Sequence, residues 1–155
     1  TGTTFVDNAL LKARHAARAT GLPAIADDSG LVVGALDGAP GVRSARFAGE
    51  PGNDAANVAK LLELLADSSL DRSARFHCAL VAVERPDDPG PLIATGWWTG
   101  EIAREPRGSG GFGYDPVFFD PTLGCTAAQL DAAQKNQVSH RGAALRRLVE
   151  LLKNR

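Results

Sequence analysis

Apolar and polar positions repeat along this chain with two different periods, and the period changes at glycines and prolines. From Thr3 to Thr20 the residues Phe5, Ala9, Leu10, Ala13, Ala16 and Ala17 recur close to every 3.6 positions, which predicts an amphipathic helix. Thr4 with Asp7 three residues later is a capping-box start, Gly21 is placed to close the helix left-handed, and Pro23 prevents its continuation. Pro23 to Ala26 reads as a short buried strand ending at Asp27-Asp28-Ser29-Gly30, and Leu31 to Val33 as a second strand. A second helix is predicted over Asn53–Ala66, with Ala56, Ala59, Leu61, Leu62 and Leu65 available to face a core. Strands Arg75–Val83 and Leu92–Trp98 follow, separated by the turn Arg85-Pro86-Asp87-Asp88-Pro89-Gly90. Arg107 to Asp115, rich in glycine, is a loop, and Val117–Phe119 after Pro116 is a short strand. Thr126-Ala127-Ala128-Gln129 is a capping box for a short helix, and Ser139 caps a last helix whose Leu145, Leu148, Val149 and Leu152 share one face. Helices and strands interleave, so the predicted class is α/β.

Composition narrows the function classes. The 155 residues fit one domain, 1–155, long enough to bury a core without disulfide or metal staples. Seventeen Lys and Arg against 18 Asp and Glu give a net charge of −1, which offers no basic face for nucleic acid or a membrane surface. Cys78 and Cys125 have no C-x-x-C partner, and Cys78 lies in an apolar run, so reduced thiols and a cytoplasmic location are expected. No apolar stretch reaches the ~20 residues of a membrane-spanning helix. With no Met anywhere and Thr1 leading straight toward a helix, the natural N-terminus is expected to lie upstream.

Three segments carry candidate chemistry. Asp27-Asp28-Ser29-Gly30 puts two carboxylates at the end of a strand, suited to a hard cation such as Mg²⁺ and an activated water; the same residues also make an ordinary solvated turn. Gly108, Gly110 and Gly113 spell G-x-G-x-x-G, but Pro116 and a strand follow where a dinucleotide fingerprint needs a helix. In that loop Phe112 or Tyr114 could stack on a planar base and Asp115 could fix the pocket. Lys135, His140 and Arg141 flank Ser139 at a helix start, where amides favour anions, although from this segment alone a plain Ser cap with surface charges is the better reading. His15 reads as an exposed helix residue and His77 as a strand residue, neither at metal-ligand spacing. No G-x-S-x-G, H-E-x-x-H or Walker A pattern occurs.

Taken in order, the motifs resemble the inosine triphosphate pyrophosphatase family over essentially the whole chain. They are Thr4-Phe5-Val6-Asp7-Asn8-Ala9, Ala26-Asp27-Asp28-Ser29-Gly30-Leu31, Gly38-Ala39-Pro40-Gly41 with Ser44-Ala45-Arg46-Phe47, Gly110-Gly111-Phe112-Gly113-Tyr114-Asp115-Pro116, and Lys135-Asn136 with Ser139-His140-Arg141. The resemblance implies Mg²⁺-dependent hydrolysis of ITP, dITP and XTP to the monophosphate and pyrophosphate, which cleans the nucleotide pool. It implies Asp28 as the carboxylate that activates water and contacts the metal, with Asp27 supporting the metal. It further implies Lys12 facing the triphosphate, Ser29 touching the nucleotide, Phe112, Gly113, Tyr114 and Asp115 lining the base pocket, and Lys135, His140 and Arg141 around the 6-keto edge. The implied fold is an elongated mixed central sheet flanked by helices, in two lobes with a cleft between them, assembled as a homodimer. The family begins with a strand, a phosphate loop and a metal-ligating Glu, which are expected upstream of Thr1, and it commonly has Lys where Cys125 stands. Two other readings are a nucleotide-binding or dimerisation module without turnover, and a pyrophosphatase for modified pyrimidine triphosphates.

Overall fold

Small side chains and well-made caps define the first helix. The computed structural model describes residues 2–155, and Thr1 lies outside the described residues. Helix α1 (Phe5–Thr20) starts where the Thr4 hydroxyl accepts the Asp7 amide at 3.0 Å, and stops where Gly21, at φ 69°, donates its N–H to the Ala17 carbonyl. Its buried residues are Phe5, Ala9, Ala13 and Ala17, one per turn, so the inward face is a narrow line of alanines below one phenyl ring.

Strand β1 (Ala24–Val33) runs unbroken through Asp27-Asp28-Ser29-Gly30, where a turn between two short strands was expected. The difference has an electrostatic cause. Both carboxylates are paired, Asp27 with Arg141 and Asp28 with Lys12, so they tolerate a half-buried strand instead of needing a solvated bend. Strands β2 (Ser73–Val83), β3 (Leu92–Ile102), β4 (Phe118–Asp120) and β5 (Cys125–Thr126) complete one sheet in the order β1-β2-β3-β4-β5. Its strands run antiparallel, with Glu101 opposite Phe119 and Asp120 opposite Cys125, and helices flank it; the α/β class holds. The parallel pairing of a mixed sheet is not among the described residues.

The chain divides into two compact units, one formed by the residues up to Ser29 with His77–Trp97 and Val138–Arg155, the other by Gly30–Phe76 with Trp98–Gln137. In the first, β2 is sandwiched. Cys78, Leu80 and Ala82 pack with Ala94 against Ala144 and Leu148 of helix α4 (His140–Lys153). On the opposite face His77 meets Phe5 of α1 at 5.2 Å between ring centroids. Ser73 to Phe76 alternate between exposed and buried, whereas every residue from Cys78 to Val83 is buried. Gly96 of β3 lets α4 come close, because a Cβ there would fall on the His140 carbonyl and 2.5 Å from the Ala144 amide. Leu148 is therefore the inward residue of α4 together with Ala144, while Leu145, Val149 and Leu152, expected beside it, stay exposed.

The second unit is built around Phe76, Trp98 and Phe118, with the Trp98 indole N–H donating to Asp120 at 2.9 Å. Arg72 donates to the carbonyls of Leu65, Ile102 and Ala103 at 2.7–2.9 Å. Helix α2 (Asp54–Leu64) buries Asn57, Val58 and Leu61; Ala56 and Ala59, expected inward, are exposed because Asn57 bonds the 44–48 segment and fixes the helix rotation. Thr126 and Gln129 form both halves of the expected capping box, over a single 3₁₀ turn. A 3₁₀ turn also takes Asp115–Val117, so the strand after it starts at Phe118. Helix α3 (Ala132–Val138) was not anticipated, and Lys135 lies inside it rather than at the helix start that carries His140 and Arg141.

Candidate active site

In the first unit, β1 presents its acidic pair to two helices. Neighbouring strand residues point to opposite faces. Asp28 meets α1, where the Lys12 ammonium lies 2.9 Å from its Oδ1 and donates also to the Asp27 carbonyl at 3.1 Å. Asp27 meets α4, where Arg141 Nη2 lies 2.9 Å from its Oδ2 and 3.4 Å from the hydroxyl of Ser29, two residues on and on the same face. Ser139 caps α4 through the Gly142 amide at 3.0 Å, which presents His140 and Arg141 in the first turn. The structure thus joins Lys12, Asp27, Asp28, Ser29 and Arg141 through direct contacts, with Asp27 and Asp28 on separate faces.

The second oxygen of Asp28 decides how a divalent cation would fit. Oδ2 is shut off from solvent and accepts no hydrogen bond from the described residues, although its partner oxygen is ion-paired. A buried, unsatisfied carboxylate oxygen is costly unless a ligand completes it. Among the described residues no cluster of three or more His, Cys, Asp or Glu forms. Cys78 lies in the electrostatic range of Arg141, Asp27 and Asp28, but burial pushes its thiol up to about 11, so it stays protonated and is no nucleophile.

In the second unit the glycine loop is shaped around Asp115. Its carboxylate accepts the Phe112 amide at 3.0 Å and the Lys135 ammonium at 2.5 Å, and a Cβ on Gly111 would collide with it. Lys135 also stands 4.5 Å from the centre of the exposed Phe112 ring. With the ammonium over one face, the exposed ring offers its other face as a platform for a planar ligand. Tyr114 is buried and its hydroxyl donates to the Ser44 carbonyl at 2.7 Å; burial, with Asp54 nearby, drives its pKa upward. Its polar end therefore holds the loop in place, and with the residue only 5% exposed little of its ring is open to a ligand. Phe112, Gly113, Tyr114, Asp115 and Lys135 come together here, although Lys135 comes from a separate sequence motif.

Sequence reasoning assigned no role to Ser44, Asp54 or Asn57. Ser44 donates to the Gly41 carbonyl and accepts the Leu31 amide, and Asn57 donates to the Ala45 carbonyl and accepts the Ala48 amide. Asp54 accepts the Gly113 amide at 2.9 Å across 59 residues of sequence, a pairing that no local pattern encodes. Helix α3 did leave a signal, because Asp131-Ala132-Ala133-Gln134 is a capping box and both of its bonds form, at 2.8 and 3.0 Å.

Comparison with known proteins follows the same outline. A family model described as Ham1 family matches residues 1–151. A protein named dITP/XTP pyrophosphatase from Shigella flexneri is 59% identical over 155 residues, covering 99% of this chain and 79% of that protein. One of the same name from Xanthomonas axonopodis pv. citri is 61% identical over 146 residues, 94% of this chain and 73% of the relative. Among solved structures, a HAM1 protein from Coxiella burnetii superposes with a TM-score of 0.95 at 57% identity, covering 100% of this chain and 79% of that one. The Ham1 protein of Staphylococcus aureus gives 0.93 at 46% identity, covering 99% and 79%.

Proposed function

The chain belongs to the Ham1 family, and from that membership we propose that it hydrolyses noncanonical purine nucleoside triphosphates (ITP, dITP and XTP) to the monophosphate and pyrophosphate, clearing them from the nucleotide pool. The observation that carries the reading is Asp28, with one oxygen held by Lys12 at 2.9 Å and the other buried without a partner. In phosphate-anhydride hydrolysis the protein supplies positioning and charge more than covalent chemistry. Asp28 accepts the proton of the attacking water and would hold Mg²⁺, whereas Asp27, on the other face of β1 and paired with Arg141, would support it only through the metal's waters. When bound, the cation neutralises charge that develops on the phosphate oxygens. Lys12, more than half exposed, meets the triphosphate, and Ser29 touches the nucleotide.

Base selection follows from donors. A 6-keto purine presents an acceptor where adenine presents an amino group. The base stacks on Phe112 beside Gly113 and the Tyr114 ring. Lys135, oriented by Asp115, contacts the keto edge with His140 and Arg141. A pocket of donors rejects adenine because its own buried N–H groups would be left unpaired. The same reading makes the protein one catalytic domain over residues 1–155 and a cytoplasmic homodimer. Two free thiols and the exposed side chains Leu11, Ile25, Leu145 and Val149 are consistent with that. Among the described residues no helix is long and apolar enough to cross a membrane.

The test is pyrophosphate release, with Mg²⁺, from dITP and XTP beside dATP and dGTP, and from a modified pyrimidine triphosphate. A strong preference for dITP and XTP is expected. Binding without release would leave a nucleotide-binding module, and preference for the pyrimidine would move the activity to another substrate class.

A further inference from the structure

Of the groups that the proposed chemistry leaves unused, Asp54 has the most informative placement. It is the first residue of α2, directly after the Asn53 cap, and its Oδ2 accepts the Gly113 amide at 2.9 Å. Gly113 sits between Phe112 and Tyr114 and adopts φ 59°, a left-handed geometry that is not held by regular secondary structure. Between this part of the loop and α2 lies an open cavity of about 490 Å³, lined by Asp54, Ala55, Val58 and Leu62 of α2 on one side and by Gly110 to Gly113 on the other. Close packing against the helix does not hold the loop along this stretch, and polar contacts fasten it. Tyr114 donates to the Ser44 carbonyl, Asp115 pairs with Lys135 and accepts the Phe112 amide, the Gly110 amide donates to the Ala128 carbonyl at 3.0 Å, and Asp54 accepts the Gly113 amide. Among these bonds Asp54 alone ties the loop to α2, and α2 is itself fixed by Asn57, whose side chain bonds the Ala45 carbonyl and the Ala48 amide.

We infer that Asp54 is a positioning residue that sets the pose of the Phe112 ring, and so controls how firmly the base is held, without touching the nucleotide. The inference rests on the proposed function, since it assumes that Phe112 is the base platform. Removing the carboxylate leaves the Asp28 chemistry intact and lets the ring sample other positions beside the cavity. Asp54→Ala should raise KM for dITP by about fivefold to tenfold and change kcat by less than about twofold, as expected for the loss of one charge-assisted hydrogen bond acting on binding alone. Asp54→Asn keeps an acceptor oxygen at the same place and should recover most of the KM.

The experiment measures steady-state kinetics on dITP for both variants, together with amide hydrogen exchange of the 108–114 segment in the absence of nucleotide. Faster exchange at Gly113 in Asp54→Ala alone, with the KM-specific loss, is the expected result. Unchanged exchange and unchanged KM overturn the inference, as does a loss confined to kcat. If the unaltered protein releases no pyrophosphate from dITP, the functional reading falls. In that case the exchange data still decide whether Asp54 holds the loop.

Discussion

Gly96→Ala is the substitution whose outcome the geometry constrains most tightly. Gly96 has no left-handed φ, so alanine is acceptable to the backbone and any effect must come from its methyl group. That methyl would fall on the His140 carbonyl, 2.5 Å from the Ala144 amide and 2.9 Å from the Ala143 Cβ. Two of these three neighbours are backbone of α4, which has no rotamer to change. Ordinary van der Waals contact begins near 3.4 Å, so the first turn of α4 must retreat by roughly 1 Å or the sheet must bend. Overpacking of this kind costs about 1–3 kcal/mol, which for a chain of this size lowers Tm by roughly 3–10 °C. The same retreat pulls Arg141 away from its 2.9 Å contact with Asp27, and a displacement of about 1 Å in a positioning group can cost up to ~10²-fold in rate. Thermal unfolding by circular dichroism and pyrophosphate release from dITP should therefore fall together. Gly34→Ala is the control, because nothing lies within 4 Å of the added methyl and its φ is also ordinary; it should be neutral or stabilising by up to about 1 kcal/mol. A Gly96→Ala protein with unchanged Tm and full activity would refute the argument that close approach at Gly96 sets the position of α4.

Three further outcomes are expected. Asp28→Asn should fold and bind dITP but lose turnover by roughly 10² or more in the pyrophosphate assay, whereas turnover within a few-fold would remove Asp28 from water activation. Asp120→Ala should cost about 1–3 kcal/mol in urea unfolding, since it strands the buried Trp98 indole N–H and frees the Thr122 amide; a loss below about 0.5 kcal/mol would contradict it. Asp88 accepts the Glu84 and Gly90 amides across the β2–β3 turn at 2.9 and 2.8 Å, and these bonds hold its carboxyl below the usual carboxylate range. Its stabilising contribution is therefore complete above the unfolded carboxylate pKa and is lost as the pH falls through the lower folded value. The urea midpoint of Asp88→Asn should accordingly fall less between pH 5 and pH 2.5 than that of the parent, and parallel curves would exclude the effect.

What could be read from the residues was largely local. Thr4, Gly21, Asn53, Thr126 and Ser139 mark helix ends through bonds to residues three or four away, so caps, helix α1 and the turn after β2 are legible without a fold. Helix rotation is not. Leu145, Val149 and Leu152 of α4 form as good an apolar stripe as Ala144 and Leu148, and only the missing side chain at Gly96 selects the second. The acidic run in β1 misled for the same reason, because Lys12 and Arg141, which let it remain a strand, are 16 and 114 positions distant. At the site, the types of residue were visible and their grouping was not. Asp27 and Asp28 read as a chelating pair, yet adjacent strand positions send them to different helices, and Asp54 has no signature at all apart from the loop it holds.

The sandwiched half of β2 also says how this protein can change over time. Ser73 and Arg75 lie on a strand with one open face, where a substitution meets water and is forgiven. A few positions later, from Cys78 to Val83, there is no open face, and each residue answers to α4 or to the opposite layer. A library of random variants should therefore divide this single strand abruptly near His77 into a permissive part and a restricted part. Any attempt to alter the active site by moving α1 or α4 would have to begin by redesigning those six residues together.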